Sequence, residues 1–476
     1  MLPDYIVKIL TTLTKKNFQT YVVGGSVRDI LMKKIPNDWD ITTNALPTEI
    51  LEIFPGSKYQ NDFGTVILPL KDENDKVIEV IEITTYRSEK GYSDRRRPDE
   101  VKFETHLDKD LERRDLTINA LAMDAKGEIT DLFGGLKDIN KKIIRAVGEP
   151  VDRFKEDALR MLRAIRLSSQ LNFEIEPKTE RGIIKMASGL KFISQERIRD
   201  ELIKMLKTSK PAEAILRLHK NKLLQYIIPE LEQAVGVKQN HHHIYTVFDH
   251  SWRSLETCPS LDWRVKLASL LHDIGKPKSK KIIAGKATFY NHEYIGAKIT
   301  DRILKRLKFK NEDREKIVGL IRNHMFYYNV DEVTAASVRR LIKKVGKENL
   351  KDLIDLRIAD RLGSGTPKAK PYKLRHLEYM MEKVQNDPIS VKMLEISGDD
   401  LIKDLKFSPG PKIGAILDVL LSRVIDNPNL NKKSELLVLA KKLEEKPLEK
   451  LREEAREVIS EKNEEIDKKI KNEFYV

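Results

Sequence analysis

At 476 residues, with 40% hydrophobic and 34% charged side chains, the chain has the material for several packed domains and is not a disordered polymer. Its net charge of +14 points to a polyanionic partner. The single cysteine, Cys258, excludes an intramolecular disulfide framework, and no apolar run approaches membrane-spanning length. No basic segment precedes the short apolar stretch of the first ten residues, so no signal peptide is read. The expectation is a cytoplasmic protein with no membrane partner and no disulfide-linked partner.

In chain order, residues 1–20 read as an amphipathic helix with Ile6, Ile9, Leu10 and Leu13 on one face. In residues 21–43, YVVGGSVRDILMKKIPNDWDITT, Val22-Val23 predict the end of a short buried strand. Gly24-Gly25 predict a tight turn with close backbone approach. Val27, Ile30 and Leu31 predict a short helix over 26–33. A glycine turn feeding a helix N-terminus offers N–H groups to phosphate, and Arg28 adds a fixed charge for a polyphosphate. Asp38-Trp39-Asp40 then leads into Ile41-Thr42-Thr43. On an extended strand residues i and i+2 share a face, so Asp38 and Asp40 are expected to project together as a Mg2+ site. Phosphoryl transfer uses two such ions roughly 4 Å apart. A lone DxD means little; GGSVRD followed by DWD in this context is far more specific.

Residues 64–70 and 77–86 predict a hairpin across a polar turn. Glu82 lies between Ile81 and Ile83 on the opposite face, and a carboxylate on a central strand is costly unless it meets a metal or a cation. It is the candidate third acid, with Glu79, expected to be exposed, as the fallback. Residues 87–101 (RSEKGYSDRRRPDEV) read as a polar, basic, mobile loop. In RRDLTINALAM (113–123) an apolar helix is expected after Asp115. Arg114 suits phosphate, and Asp115 or Asn119 suits a ribose; the plainer alternative is helix capping by Asp115. The glycines of DLFGGLKD (131–138) predict a tight turn closing this region.

Residues 156–167, EDALRMLRAIRL, predict a helix with Leu159, Leu162 and Ile165 toward the core. Asp157, Arg160, Arg163 and Arg166 recur every three residues as a polar ribbon. A solvated arginine face is the plain reading, and for Arg166 taken alone it stands beside the functional one. The pair Asp157/Arg160 suggests more. Cytosine and adenine each show an exocyclic amino donor beside a ring-nitrogen acceptor. A carboxylate accepts from the first and a guanidinium donates to the second, so such a pair accepts C and A and rejects U and G.

GGSVRD with DWD resembles the DNA polymerase β-like nucleotidyltransferase superfamily. With IEITTYR, RRDLTINALAM, DLFGGLKD, EDALRMLRAIRL and ISQERIRDEL in this order, residues 15–215 resemble the bacterial tRNA nucleotidyltransferase/poly(A) polymerase family, and within it the class II CCA-adding enzymes. The resemblance implies that Asp38 and Asp40 hold Mg2+. It implies that Gly25, Arg28 and Arg114 bind the incoming triphosphate or its sugar. It further implies that Asp157 and Arg160 template the base and that Arg163 and Arg166 also bind nucleotide. The family has Phe where Leu116 stands here, a departure that touches no catalytic role.

From about 220 onward only helices are expected. His250, His272, Asp273 and Asp360 match an HD-type metal site, and His292 and His324 could supply a second metal. Imidazole with carboxylate fits a divalent metal whose identity the spacing does not choose. This part resembles HD phosphohydrolases, some of which are fused to CCA-adding heads. His219 is expected to be an ordinary core histidine. The helix carrying His272-Asp273 is expected to stop at Gly275, with Pro277 just after. Residues 366–372 read as a linker. The Pro-Gly-Pro turn before residue 412 opens a helix whose amides and Lys412 suit an RNA phosphate, or serves as a plain connection. Residues 441–476 predict an exposed, partly frayed helix.

The expected architecture is an α/β head with a polymerase β-like mixed sheet (1–147), an all-α neck for nucleobase and RNA binding (148–225), an HD-type body (226–366) and a helical tail for tRNA binding (367–476). The expected function is template-independent addition of C, C and A to tRNA from CTP and ATP by two-metal-ion catalysis with Mg2+ in the head, with a second, metal-dependent phosphohydrolase activity expected in the HD domain. An A-only adding enzyme and a poly(A) polymerase are the near alternatives, and base choice could turn on 87–101. An HD phosphohydrolase with an RNA-binding head is the alternative from another class. A non-catalytic tRNA-binding protein is disfavoured by the intact Asp38, Asp40 and HD ligand set.

Overall fold

The computed structural model describes residues 2–36, 38–61, 63–91, 100–239, 244–283, 286–326, 328–330, 333–385 and 391–476. It divides into two compact units, Met1–His324 with Asp352–Thr366, and Met325–Lys351 with Pro367–Val476. Residues 325–351, which the sequence reading places in the HD body, fall in the second of these compact units.

The first unit opens on a helix over Asp4–Lys15 that buries Ile6, Ile9, Leu10 and Leu13. The head strands follow as β1 (Thr20–Val23), β2 (Asp40–Thr43), β3 (Lys58–Asn61), β4 (Thr65–Lys71), β5 (Val77–Thr85), β6 (Arg87–Lys90), β7 (Glu100–Phe103), β8 (Leu121–Met123) and β9 (Ile129–Asp131). Seven of them form one mixed sheet in the order β3-β4-β5-β2-β1-β8-β9. Val22, Ile41, Val66, Ile81 and Ile83 are buried in the core that this sheet shares with the first helix.

Two readings of the head change. The apolar run after Asp115 is a single 3-10 turn, Thr117–Asn119, followed by β8, not a helix. Its Ala122 and Met123 pair with Val23 and Val22, so the sheet claims the segment. The stretch 87–101 is not wholly loop: β6 and β7 form an antiparallel hairpin at its ends, and residues 92–99 lie outside the described residues.

The neck is helical, with Pro150–Glu156, Leu159–Leu171, Pro177–Met186, Gln195–Leu206 and Pro211–Lys220 as its main helices. Three of them start on proline, whose fixed φ and missing N–H suit the first turn. The expected continuous helix 156–167 is broken. Asp157 is extended at φ −141°, ψ 105°, and the next helix begins at Leu159. In the HD region a small hairpin, Lys281–Ile283 with Lys286–Thr288, interrupts the helices expected there. The helix before the HD pair ends at Leu271, so His272 and Asp273 sit on the turn beyond it, and Pro277 falls inside the short helix Lys276–Ser279.

In the second unit the helices Pro411–Asp426 and Lys433–Leu443 bury Ala415, Leu420, Leu436 and Ala440. The last helix, Leu448–Phe474, spans 27 residues and, among those whose burial is described, is mostly exposed as expected, burying Leu451, Ala455 and Ile470. Lys412 donates to the carbonyl of Glu444, which supports the plain connection there. No helix among the described residues is long and apolar enough to cross a membrane.

Candidate active site and a second cluster of metal-ligating residues

The head site starts at the end of β1. Gly24 has φ +79°, ψ −136°, a conformation essentially reserved for glycine. A Cβ there would stand 3.1 Å from Arg114 Nη1 and 3.5 Å from Asp40 Oδ2. The missing side chain is what lets the turn, a cation and a carboxylate meet. A Cβ on Gly25 would touch the Arg28 guanidinium at 3.5 Å, so that side chain folds back over the turn.

Asp40 opens β2 and lies beside Glu82 of β5 in parallel register. Ile81 and Ile83 are fully buried while Glu82 is exposed, as strand alternation requires. Glu79, half-buried rather than exposed, bonds Tyr5, so Glu82 is the acid that flanks Asp40. Asp38 sits in a bend ahead of the strand, not on it as expected, yet its charge acts on Asp40. Burial pushes the Asp40 carboxyl up to about 6; Arg114 opposes the shift, and the Asp38 and Glu82 charges add to it.

That shift has a stability consequence. A carboxyl raised from 3.8 to about 6 gives a contribution that is full below pH 3.8 and lost as pH rises through 6. Two pKa units correspond to about 3 kcal/mol. In Mg2+-free buffer at pH 7.5, Asp40→Asn should therefore resist urea better than wild type by roughly 2–3 kcal/mol, with the gap closing near pH 4. A gap independent of pH would refute the crowding of charge at Asp40.

The cations around the site are held by neighbours. Arg28 is buried and donates to Asn119 Oδ1 at 2.8 Å and to Asp29. Asn119 donates to Asp115 Oδ1 at 3.2 Å, and Asp115 Oδ2 accepts from Arg163 at 2.6 Å. One chain of polar contacts thus runs from the glycine turn to the neck. Burial alone would raise the Asp115 carboxyl, but Arg163 and Asn119 hold it well below the usual carboxylate range. Arg114 donates to the buried Asp110, which also takes Arg113 and Thr42.

The ribbon of Asp157, Arg160, Arg163 and Arg166 is not one continuous face. Asp157 accepts from Arg197 at 2.6 and 3.2 Å and caps Leu159 N at 3.0 Å. Arg160 bonds Glu156 at 2.5 Å and the Arg113 carbonyl at 3.0 Å. Arg166 bonds the buried Glu201 at 2.8 Å. Sequence reasoning missed Arg197, Glu156 and Arg113. The Glu156/Arg160 spacing of i, i+4 was a usable signal; Arg197, forty positions from its partner, gave none.

The HD residues converge. His250 Nε2 lies 3.0 Å from His272 Nε2, 3.3 Å from Asp273 Oδ2 and 3.3 Å from Asp360 Oδ1. His292 Nε2 lies 3.3 Å and His324 Nε2 4.0 Å from the other oxygen, Asp273 Oδ1. Two ligand groups result, His250/His272/Asp273 and Asp273/His292/His324, sharing one carboxylate. His272, His292 and His324 each turn Nδ1 to a backbone carbonyl, of Ser269, Phe289 and Ile321, at 2.7 to 2.8 Å. A ring N–H fixed in this way leaves Nε2 free as a ligand, the outer contact typical of metal-binding histidine. Burial and the neighbouring His272 lower His324 to about 3, so it is neutral and able to ligate. Although burial pulls His272 down, the carboxylates of Asp273 and Asp360 hold it up to about 10. Lys276, buried, reaches Asp273 Oδ2 at 2.6 Å. His219 stays apart, bonded to Glu232.

Comparison with known proteins agrees with this layout. The Poly A polymerase head domain matches residues 20–145. A probable RNA and SrmB- binding site of polymerase A matches 172–235, and the HD domain matches 247–364. The chain is 33% identical over 436 residues to the CCA-adding enzyme of Enterococcus faecalis, covering 91% of this chain and 94% of that one. It is 51% identical over 208 residues to the CCA-adding enzyme of Lactobacillus helveticus, a match that takes in 43% of this chain and about half (51%) of that relative. Among solved structures, the Bacillus stearothermophilus CCA-adding enzyme in complex with CTP superposes with TM-score 0.60 at 26% identity, over 93% of this chain and 98% of that one.

Proposed function

Since the chain belongs to the CCA-adding enzyme family, we propose that it adds C, C and A to the 3′ end of tRNA, taking CTP and ATP and using no nucleic-acid template. The observation that supports this most is the gathering of Asp38, Asp40 and Glu82 beside the Gly24 turn and Arg114. An all-oxygen set of mutually repelling carboxylates fits Mg2+. Bound there, Mg2+ would lower the pKa of the RNA 3′ hydroxyl and offset charge on the leaving pyrophosphate. Arg114 offers a fixed cation to the triphosphate, and Gly25 leaves room for the backbone to approach it. Arg28, held in place by Asn119, offers a second cation to the triphosphate or the sugar.

Asp157 and Arg160 are the proposed base readers. Arg197 and Leu159 N occupy three of the roughly four acceptor sites of the Asp157 carboxylate, leaving about one for the amino group of C or A. Arg163 and Arg166 are proposed to act on nucleotide through the neck helix they anchor to Asp115 and Glu201. Asp157→Ala should raise misincorporation of UTP and GTP relative to CTP and ATP by roughly 10- to 100-fold, the worth of one charged hydrogen bond. The ratio of kcat/KM values measures it. A lower rate with unchanged preference would remove Asp157 from base reading.

Incubating CCA-lacking tRNA with CTP alone, ATP alone and both tests the activity as a whole. Ordered C, C and A addition supports the reading; A-only or long A tails would assign it to the alternatives. A second reading, phosphoester hydrolysis at the HD cluster, is favoured by the convergence of four imidazoles and two carboxylates. They would hold one or two divalent metals of mixed nitrogen and oxygen ligation.

A further inference from the structure

The two faces of the head sheet are built differently. Ile41, Val66, Ile81 and Ile83 point into the core, so their neighbours along each strand point the other way. On that outer face Asp40 of β2 pairs with Glu82 of β5, Glu82 pairs with Ile67 of β4, and Ile67 pairs with Lys58 of the edge strand β3. The next row along β5 is Val80 opposite Pro69, and alternation puts Ile78 on the same face two residues further on. A sheet with one face in water is expected to be apolar inside and polar outside. Here that pattern fails. Val80 is 47% and Ile78 66% exposed, with Ile67 and Pro69 half-buried beside them. The outer face therefore carries an apolar strip that starts at the acid pair and runs away from it.

The strand order β3-β4-β5-β2-β1-β8-β9 decides which reactant the strip can serve. The Gly24 turn and Arg114 stand on the β1 side of Asp40, and the strip lies on its other side, on β5 and β4. In phosphoryl transfer the attacking and leaving oxygens lie roughly in line across the phosphorus. With the triphosphate held on the β1 side, the attacking hydroxyl comes from the β5 side. We infer that Ile67, Pro69, Ile78 and Val80 form a floor for the unpaired bases of the RNA strand that ends in that hydroxyl, with Lys58 at its border for a backbone phosphate. The inference rests on nucleotidyl transfer to RNA in the head, as proposed above. From Glu82 to Ile78 the strand runs about 13 Å, the rise of roughly four stacked nucleotides. Apolar side chains pack on the faces of bases whatever their sequence, which suits a strand whose last base changes with each addition.

The test uses the full chain, a tRNA that lacks only its terminal A, and I78S/V80S, which alters two exposed side chains. I78S/V80S should lower kcat/KM for the RNA about tenfold, the effect expected of one lost base contact. An abasic nucleotide at the penultimate position of the RNA should cost wild type about the same. Combining the two should cost little more than either alone, because both remove one contact. KM for ATP should stay within about twofold of wild type in every case, the scatter expected of an unrelated site. L132S, an exposed apolar residue just past β9 at the opposite edge of the sheet, should leave every value unchanged. 2-Aminopurine as the last nucleotide of the RNA reports stacking without chemistry, and its fluorescence change on binding wild type should be lost in I78S/V80S. If wild type adds no nucleotide, nucleotidyl transfer fails as a reading while the 2-aminopurine signal still decides the floor. Full additivity of the two losses, or a 2-aminopurine signal unchanged in I78S/V80S, would overturn the floor. So would a wild-type dimer that dissociates in I78S/V80S with the RNA signal unchanged, which would assign the strip to a second copy of the chain.

Discussion

Asp40→Ala is expected to abolish nucleotide addition, by roughly 10³-fold or more, with tRNA affinity almost unchanged. The magnitude follows from removing one ligand of an ion that contributes several kcal/mol to transition-state charge stabilisation, at 1.36 kcal/mol per decade. Asp40 is the natural point of failure because it is central. Glu82 stands beside it in register, Asp38 acts on it from the preceding bend, and Arg114 crowds it across the Gly24 turn. Removing the carboxylate also takes away a half-buried charge, crowded by Asp38 and Glu82, that costs stability at neutral pH, so the variant should fold at least as well as wild type. Single-turnover incorporation of labelled CTP at saturating Mg2+, with a parallel tRNA binding curve, separates chemistry from affinity. Incorporation within tenfold of wild type would mean that the carboxylates are not the metal clamp. Lost tRNA binding would mean that the substitution disturbed more than the site.

The legible parts of the site were those whose chemistry is carried by residue type and short spacing. Asp38 and Asp40 were readable as a pair, although a bend, not a shared strand, brings them together. Strand alternation put Glu82 on the face opposite Ile81 and Ile83. That Glu82 rather than Glu79 flanks Asp40 depends on the parallel register of β2 and β5, a pairing forty residues apart that no local pattern encodes. The apolar run LTINALAM was misread because a short buried strand and a helix segment share one composition; the free edge of β1 decides between them. At Asp157 two local signals competed. Helical periodicity ran through the segment, while an aspartate two residues before the first core leucine is also a cap. The cap prevailed, with Arg197 holding the carboxylate from a distant helix. In the HD region the ligand types were visible, but the sharing of Asp273 between two groups depends on where His292 and His324 are brought by their own helices.

Asp273→Ala should strip both metal positions of the HD cluster at once and leave addition in the head intact. One oxygen of Asp273 faces His250 and His272 at 3.3 and 3.4 Å, and the other faces His292 at 3.3 Å and His324 at 4.0 Å. No other described residue belongs to both ligand groups. His292→Ala, which touches one group, should cost one metal and spare the other. Removing Asp273 also leaves Lys276 buried without its carboxylate partner, a loss of about 3–5 kcal/mol for a broken buried pair. Asp273→Asn keeps the volume and serves as the milder variant. Elemental analysis after EDTA treatment and Mn2+ reloading, on an Asp38→Ala/Asp40→Ala background that silences the head, counts the cluster alone. The expectation is up to two equivalents in that background, about one with His292→Ala, and none with Asp273→Ala or Asp273→Asn. Addition of C, C and A by the single Asp273 variants reports that the first unit has folded. Hydrolysis of 2′,3′-cyclic nucleotides, where the parent shows it, should vanish with the metal. A parent protein that takes up no metal under these conditions and hydrolyses no phosphoester would make the convergence of these side chains structural. An Asp273→Ala variant that keeps the parent's metal content would place the ligands elsewhere.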